Sequence, residues 1–419
     1  MGKELVFERK AELQELLSSL RDASKIKVVA GLRGAGKTYL LNELFYDALL
    51  RRGYRPADVF KADLSGSHDE VRSPAALRSL LGEASHKEAK FIFIDEVQLA
   101  GDEYADVLIS FLKRNPQIGL FVTGSNSKTL SDDIRKAFKE NAKTIFLRPL
   151  SFQEIRDCLP NYRPRDYLEF GAIPMVLKKK EPERRDFLED LYRNTYLLDI
   201  KERFQGRYLS NIEKEKILVR MLSNLTSPLS EAQIIKGITK RSVLNREEVL
   251  LLKKEILDFI EIASASFLVC DFRQDFAKET ESETDFMDHH IKKYCFDLGL
   301  LDVISEASVV YKNAASLENA IYLELRSRGI DPRGGFVIKP NGELGEIDFS
   351  FERKGTSFYI QSVHTLDEKN QERELGNLLL APKSAQKLVV FVNNHLQRKI
   401  PAPIQALSFD QFLLNNPFA

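Results

Sequence analysis

A glycine-rich segment at residues 31–38 carries the clearest chemical signal in the sequence. It reads G-L-R-G-A-G-K-T and matches the pattern G-x-x-x-x-G-K-[ST]. Glycines let a backbone wrap closely around phosphates, and a following helix adds its positive dipole end. Lys37 would bridge the β- and γ-phosphates of a nucleotide, and the Thr38 hydroxyl would contact Mg²⁺. The predicted nucleotide contacts are Gly31, Leu32, Arg33, Gly34, Ala35, Gly36, Lys37, Thr38 and Tyr39.

Two adjacent carboxylates follow a second apolar run, F-I-F-I, at residues 91–94. Asp95 and Glu96 would lie together at the end of a central strand, where like charges at close range raise each other's pKa. A bound metal ion removes that penalty. We therefore predict that Asp95 holds Mg²⁺, directly or through water, and that Glu96 acts as the general base for an attacking water.

A third apolar run at residues 120–123 ends in Gly124, Ser125 and Asn126. A polar side chain at this strand tip can contact a γ-phosphate or the attacking water. Ser125 is the candidate nucleotide contact, and Asn126 is the candidate catalytic residue beside Lys37 and Glu96. The alternative is a simple Gly-Ser-Asn turn with no chemical role.

These candidates belong to a chain whose composition is that of an ordinary globular protein. Its 419 residues are enough for about three domains, and 62 basic residues balance 62 acidic residues. A protein that coats nucleic acid with an all-over basic surface is therefore disfavoured, although a local basic patch is not. No apolar run approaches the roughly 20 residues that span a bilayer, and no signal-peptide pattern is present. With three scattered cysteines, the sequence predicts a reducing, cytoplasmic setting and no membrane partner.

Strand and helix signals alternate through the first 150 residues. β-branched or strongly apolar runs are separated by amphipathic patterns with helical spacing. This alternation predicts an α/β domain with a parallel sheet covered on both faces. The predicted strands cover 26–30, 59–64, 91–94, 120–123 and 144–147, and the predicted helices cover 7–22, 38–51, 77–84 and 104–113.

The helical middle of the chain can be interpreted as a winged helix-turn-helix at residues 211–262. Its helices would cover 217–225, a segment beginning at the N-cap Ser230, and 242–252. A basic cluster that contains no acid would contact the phosphates of double-stranded DNA. The alternative is a small helical bundle that serves as a lid and protein interface. The candidate DNA contacts are Lys236, Lys240, Arg241 and Arg246.

Acidic residues predominate just after this region. The segment 275–288 carries six acids and one lysine, and it is predicted to be an exposed loop or linker. Strand and helix patterns then resume, with strands at 345–351, 358–363 and 387–392 and helices at 318–328 and 367–380. This alternation predicts a second, smaller α/β unit.

The unit from 294 to 419 resembles the PD-(D/E)xK nuclease core. Such a core needs a helix acid, an Asp at a strand end and an acid-x-Lys on the next strand, where the acids bind Mg²⁺ and the Lys orients water. Here the third element reads Q-S-V, and Val363 cannot replace the Lys. His364 would point to the opposite face of a regular strand. The candidate degenerate site comprises Glu324, Asp348 and Gln361, with Glu318 as the alternative to Glu324 and with Glu346 beside Asp348.

Several further stretches, taken in order, extend a family resemblance over nearly the whole chain. After the glycine loop and F-I-F-I-D-E-V-Q come V-T-G-S-N-S, L-R-P-L-S-F-Q-E-I, E-F-G-A-I-P, L-Y-R-N-T-Y-L-L-D-I and L-E-N-A-I-Y-L-E-L. The chain resembles bacterial and archaeal AAA-type ATP-binding proteins, related to the STAND-like P-loop ATPases, that carry a C-terminal nuclease-like domain of unknown function. The resemblance implies ATP binding, slow hydrolysis and a multi-domain switch.

One departure from this family puts rapid hydrolysis in doubt. The family places a Gly-Arg pair about eight residues before Pro-Leu-Ser-Phe, whereas this chain has F-K-E-N-A-K at 138–143. Such an Arg would be the natural sensor of the γ-phosphate. The candidate substitutes are Arg135, Lys139, Lys143 and Arg148.

Together these patterns predict a P-loop ATPase core at 1–152, a helical lid at 153–208, a winged-helix-like domain at 209–274 and a restriction-endonuclease-like domain at 290–419. The favoured function is a slow, Mg²⁺-dependent ATPase that acts as a nucleotide-controlled switch linked to DNA, a protein partner or its own copies. A second hypothesis is a binding module that holds ATP with little turnover. A third is a metal-dependent nuclease. ATP and Mg²⁺ are the predicted cofactors.

Overall fold

The chain forms two compact units. The computed structural model describes residues 5–65, 73–101, 103–124, 138–223, 245–266, 268–272, 274–275, 292–305 and 309–418. Among these, residues up to 149, with 173–178 and 265–266, form the first unit. The second unit contains 150–172, 179–264 and the residues from 268 onward.

The first unit contains a five-stranded sheet. Its strands are β1 (Ile26–Gly31), β2 (Val59–Asp63), β3 (Phe91–Asp95), β4 (Gly119–Gly124) and β5 (Ala142–Leu147). Their order is β2-β3-β4-β1-β5, and every neighbouring pair is parallel. The carboxyl ends of all five strands therefore share one edge of the sheet. The predicted parallel α/β sheet is confirmed, with each strand within two residues of its expected bounds.

Both faces of this sheet are packed, which explains why its central strands are apolar without alternation. On one face Phe45 packs against Phe93 and Phe121, with ring centroids 5.6 and 4.7 Å away. On the other face Ile92 and Ile94 belong to a buried apolar cluster with side chains from two helices. Each strand thus contributes alternate residues to two separate cores.

Helices make up most of the remaining described structure, and none of those described is long and apolar enough to cross a membrane. A π-helical turn, Leu40–Phe45, joins the second helix to the third. The α-helices are α1 (Lys10–Ser19), α2 (Lys37–Tyr39), α3 (Tyr46–Arg51), α4 (Pro74–His86), α5 (Tyr104–Arg114), α6 (Phe152–Cys158), α7 (Pro164–Phe170), α8 (Pro174–Leu177), α9 (Glu181–Leu191), α10 (Leu198–Arg203), α11 (Asn211–Ser223), α12 (Arg246–Ala265), α13 (Leu298–Ile304), α14 (Val309–Ser327), α15 (Gln371–Leu380) and α16 (Phe409–Leu414).

The middle region is helical, as expected, but its helices differ in extent from the predicted ones. α11 begins six residues before the expected helix at 217, and α12 continues to Ala265 instead of ending near 252. Ser230 and the rest of 224–244 lie outside the described residues. The winged-helix interpretation therefore stays a prediction.

The second unit contains a six-stranded mixed sheet and a separate antiparallel pair. Its strands are β6 (Val269–Phe272), β7 (Gln274–Asp275), β8 (Lys292–Cys295), β9 (Arg333–Ile338), β10 (Leu344–Arg353), β11 (Thr356–Leu366), β12 (Gln386–Asn394) and β13 (Ile404–Ser408). The larger sheet has the order β13-β12-β11-β10-β9-β7, and β6 pairs with β8. β10 and β11 form an antiparallel hairpin, whereas β12 runs parallel to β11 and β13. Sequence patterns missed five strands, none longer than six residues, namely β6, β7, β8, β9 and β13.

Candidate functional site

The predicted phosphate loop connects β1 to α2 at the carboxyl edge of the first sheet. Gly34 and Gly36 have φ angles of +81° and +93°, in the left-handed region that L side chains rarely adopt. A Cβ atom on Gly34 would also lie 3.0 Å from Ile173 Cγ2. The loop's shape therefore requires glycine at both positions. Lys37 and Thr38 then follow at the first turn of a helix, where backbone N–H groups are free to bind an anion.

Lys37 is almost fully buried within this loop. Its Nζ donates hydrogen bonds to Gly31 O at 3.0 Å and to Leu32 O at 3.1 Å. Burial lowers the pKa of the Lys37 ammonium to about 8, although the nearby Glu96 and Asp95 carboxylates oppose that shift. The lysine is thus a cation held on backbone carbonyls, and phosphate oxygens can compete for it.

Asp95 lies at the centre of a hydroxyl network. Thr38 Oγ1 donates to Asp95 Oδ2 at 2.7 Å, and Thr123 Oγ1 donates to Asp95 Oδ1. Burial raises the pKa of the Asp95 carboxyl, and the two hydroxyl donors partly offset that rise. A neighbouring cation would favour the charged carboxylate at this position.

The Thr38 hydroxyl and the Asp95 carboxylate are oxygen ligands of the kind that Mg²⁺ prefers. The two side chains are hydrogen-bonded to each other. Because the carboxylate is buried, a bound cation would stabilise its charged form. This donor set therefore fits the predicted metal, with Thr38 as a ligand and Asp95 as a ligand or the acceptor of a metal-bound water.

Glu96 has an unusual backbone conformation directly after β3. Its φ and ψ angles are 54° and 48°, a left-handed conformation that costs a non-glycine residue free energy. Its N–H donates to Thr123 Oγ1 at 3.0 Å. A short 3₁₀ helix, Val97–Ala100, follows at once. The strained turn places the Glu96 side chain in the lining of the same cavity as Lys37 and Asp95.

That cavity has a volume of about 550 Å³ and lies within the first unit. Its apolar lining residues include Leu5, Phe7, Leu99, Pro174 and Met175. Three cations besides Lys37 also line it, namely Arg9, Arg33 and Lys178. Sequence patterns missed Arg9 and Lys178, because no local motif marks them and only the fold brings them to the loop.

Two of these cations are held by specific contacts. Arg9 Nη2 donates to Ala35 O at 2.9 Å, which ties the segment before α1 to the phosphate loop. Lys178 Nζ lies 5.2 Å from the ring centroid of Tyr39. Tyr39, a predicted nucleotide contact, therefore faces the cavity beside a cation.

The remaining candidate residues of the first unit either lie outside the described residues or do not line the cavity. Ser125, Asn126 and Arg135 lie outside the described residues. Lys143, a candidate substitute for the absent arginine, pairs with Glu15 at 3.6 Å. Arg148 lies 6.0 Å from the ring centroid of Phe146. Neither Lys143 nor Arg148 is among the residues that line the cavity.

In the second unit, Glu324, the helix acid predicted for the degenerate nuclease site, has other partners. Glu324 Oε1 accepts hydrogen bonds from Phe152 N at 2.8 Å and Tyr167 OH at 3.2 Å, and Glu324 Oε2 lies 3.7 Å from Arg328. It is a buried anchor for the start of α6. Six residues separate Glu318 and Glu324, so they lie about 120° apart around α14. The prediction of Glu324 is therefore wrong in its placement, and the alternative Glu318 faces the other acids.

A buried lysine completes that acidic cluster. Lys292 Nζ lies 2.8 Å from both Glu318 Oε1 and Glu346 Oε1, and Tyr294 OH donates to Glu318 Oε1. Burial lowers the pKa of Lys292, but the three nearby carboxylates, Asp348 among them, raise it further, so it stays charged. The sequence analysis missed Lys292 because it comes from β8, outside the acid-x-Lys spacing.

Asp348 and Gln361 do lie together, as predicted. Gln361 Nε2 contacts Asp348 Oδ1 at 3.3 Å, and Ser362 N donates to Asp348 Oδ2 at 2.7 Å. Burial raises the pKa of Asp348 well above its usual value. In the described part of the chain, no group of three His, Cys, Asp or Glu side chains has a geometry that could hold a metal ion.

Of the candidate DNA contacts, the structure describes Arg246 alone. It is exposed in the first turn of α12, which begins where Asn245 and Glu248 cap each other through backbone and side-chain hydrogen bonds. Lys236, Lys240 and Arg241 lie outside the described residues. The basic patch therefore stays a prediction.

The parallel sheet and the Lys37, Thr38 and Asp95 arrangement at its carboxyl edge have the form of a P-loop domain. A family model described as an AAA domain matches residues 23–156, which include the whole sheet and the loop.

Sequence matches to two relatives extend beyond that domain. An uncharacterized protein of Haemophilus influenzae is 24% identical over 96% of this chain and 96% of its own length. An uncharacterized protein of Methanocaldococcus jannaschii is 28% identical over 84% of this chain and 77% of its own length. Nucleoside triphosphatase I of Amsacta moorei entomopoxvirus is 23% identical over 34% of this chain and 22% of its own.

A solved structure, AMPPCP-bound DnaA from Aquifex aeolicus, is 16% identical, with a TM-score of 0.31. The match covers 62% of this chain and 88% of the DnaA chain.

Proposed function

We propose that this protein binds ATP with Mg²⁺ and hydrolyses it slowly, as a nucleotide-controlled switch linked to DNA or protein partners. The observation that carries the proposal is the convergence of Lys37, Thr38, Asp95 and Glu96 on one cavity. Each supplies a different chemical capacity, namely a cation, a hydroxyl ligand, a buried carboxylate and a second acid. The AAA-domain match and the partial likeness to a nucleoside triphosphatase support the same class of reaction.

Each residue has a distinct task in this mechanism. Lys37 gives up its two carbonyl bonds and holds phosphate oxygens, and the loop N–H groups bind the same anion. Thr38 would hold Mg²⁺ as a ligand, and Asp95 would hold it as a ligand or through a metal-bound water. Glu96 accepts the proton of the attacking water as the γ-phosphate bond to ADP breaks. Mg²⁺, when bound, neutralises charge that develops on the phosphates.

Slow turnover follows from the chain's departure from its resembled family. The usual arginine is absent, and of its described substitutes Lys143 is engaged with Glu15. Of the three other cations that line the cavity, Arg9 donates to Ala35 O and Lys178 lies 5.2 Å from the ring centroid of Tyr39. Arg9 and Lys178 can attract phosphates, but neither comes from the segment in which the resembled family carries its arginine. A neighbouring subunit or DNA would supply or rearrange such a group.

The direct test is phosphate release measured against protein concentration, with and without duplex DNA. We expect slow release that Glu96→Gln lowers by about 100-fold or more, as removal of a general base does. An increase with DNA or with protein concentration would show what completes the site. Equal turnover in wild type and Glu96→Gln would remove Glu96 as the general base. Nucleotide binding without turnover would contradict the hydrolytic proposal and favour the second hypothesis, a module that only holds ATP.

For the C-terminal unit we propose a binding role in place of nuclease activity. Lys292 is held between two carboxylates, and Val363 occupies the position where a nuclease would carry its lysine. A lysine engaged in this way is not available to orient water. Supercoiled plasmid should therefore stay intact after incubation with Mg²⁺ or Mn²⁺, and nicking that Asp348→Asn abolishes would reverse this conclusion.

A further inference from the structure

Gln98 is a buried residue that the mechanism above does not use. It lies on the 3₁₀ helix Val97–Ala100, is only 9% exposed, and lines the cavity beside Glu96. Its Nε2 donates to Glu96 Oε2 at 2.5 Å. Its Oε1 is fully buried and has no hydrogen-bond partner among the described residues.

The orientation of the Gln98 carboxamide is fixed by chemistry. A carboxylate only accepts hydrogen bonds, so the amide nitrogen of Gln98 must face Glu96. The carbonyl oxygen is therefore the atom left without a partner. Leaving a buried acceptor unsatisfied is unfavourable, and native structures rarely tolerate it without a reason.

A second unfavourable feature lies two residues away. Glu96 adopts the left-handed conformation that glycine prefers, and the 3₁₀ helix that carries Gln98 begins directly from it. Strained backbone that persists in a cavity wall points to a functional constraint. Both features belong to one wall segment, because Glu96 and Gln98 line the same cavity.

We propose that Gln98 is a catalytic residue that orients the attacking water, an inference that rests on the proposed ATP hydrolysis. The water donates one hydrogen to the Glu96 carboxylate and the other to Gln98 Oε1, so that its lone pair is directed at the γ-phosphorus. The water oxygen forms a bond to phosphorus as the bond to the ADP oxygen breaks. Glu96 takes the first proton, Gln98 stays neutral, and its Nε2 keeps the Glu96 carboxylate in place throughout.

The test compares phosphate release by full-length wild type, Gln98→Leu, Glu96→Gln and the double variant. Gln98→Leu should lower kcat by about tenfold to a hundredfold, because one positioned hydrogen-bond partner of the transition state is lost. The dissociation constant for a fluorescent ATP analogue with Mg²⁺ should stay within about twofold. In the Glu96→Gln background the same substitution should lower kcat by less than about threefold, since residues that act as a unit are not additive.

Thermal unfolding separates this role from a structural one. Leucine removes an unsatisfied buried acceptor, so Gln98→Leu should unfold at the same temperature as wild type or higher. The matched control is Gln153→Leu, because Gln153 also donates to a carboxylate, that of Asp157, but is exposed on α6. It should leave kcat unchanged.

Two outcomes overturn the proposal while the proposed function stands. One is an unchanged kcat in Gln98→Leu when Glu96→Gln is impaired, and the other is a lower unfolding temperature with ATP affinity reduced more than about tenfold. Gln98→Met, which is closer in shape to glutamine, replaces Gln98→Leu if that variant does not fold. Failure of the proposed function looks different, because wild type itself then releases no phosphate above background.

Discussion

The Thr38 hydroxyl donates a 2.7 Å hydrogen bond to Asp95 Oδ2 across 57 residues of sequence. The contact forms because β4 lies between β1 and β3, with Thr123 opposite Val29 of β1 and Val122 opposite Ile94 of β3. Thr123 thereby reaches both Asp95 and the N–H of Glu96. The sheet order, more than either local motif, brings the predicted metal ligands together.

The first prediction concerns this pair. Asp95→Asn should raise the Mg²⁺ concentration needed for half-maximal ATP hydrolysis by about 10- to 100-fold, because it removes the charge of a metal ligand or of its hydrogen-bond partner. A Mg²⁺ titration at fixed ATP measures the effect. Asp63→Asn is the matched control, since Asp63 ends the neighbouring strand β2 but is exposed and accepts from Ser65. An Asp95→Asn curve that overlays wild type would remove Asp95 from the metal site.

Local motifs predicted the phosphate loop and the strand that ends in Asp95, because each of these features depends on a few consecutive residues. They could not predict that Arg9 and Lys178 line the cavity, because only the fold brings these residues to the loop. Nor could they distinguish Glu318 from Glu324, since that depends on which face of α14 packs against β8 and β11. Lys292 was missed for the same reason, because β8 lies far in sequence from the acids that it neutralises.

The pH dependence of nucleotide affinity is the second prediction. Burial lowers the pKa of Lys37 to about 8, and the protonated form binds phosphate. Bound phosphate favours the charged ammonium, so affinity is full below pH 8 and falls as pH rises through that value, by about tenfold per unit. Dissociation constants for an ATP analogue between about pH 7 and pH 9.5 measure the slope. Arg in place of Lys37 keeps its charge and should flatten the profile, and a flat wild-type profile would contradict the assignment.

DNA contact by the middle region can be tested at Arg246, which is exposed in the first turn of α12. If Arg246 contacts a phosphate, Arg246→Ala should weaken duplex binding and reduce the slope of log affinity against log salt by about one. Fluorescence anisotropy over a salt series gives both quantities. Arg185→Ala is a suitable control, because Arg185 is a half-exposed helix arginine paired with Asp302. Equal slopes for wild type and Arg246→Ala would favour the helical-bundle alternative.

The last prediction concerns the buried ion cluster of the second unit. Lys292→Met should reduce the free energy of unfolding by about 3–5 kcal/mol, because it leaves Glu318 and Glu346 without the cation 2.8 Å from each. Urea denaturation measures the loss. Lys383→Met changes an exposed lysine of the same unit and should shift stability by no more than about 0.5 kcal/mol. Adding Glu318→Gln to Lys292→Met should restore part of the lost stability, because the loss comes from uncompensated buried charge. A double variant less stable than Lys292→Met would show that packing of the lysine stem dominates instead.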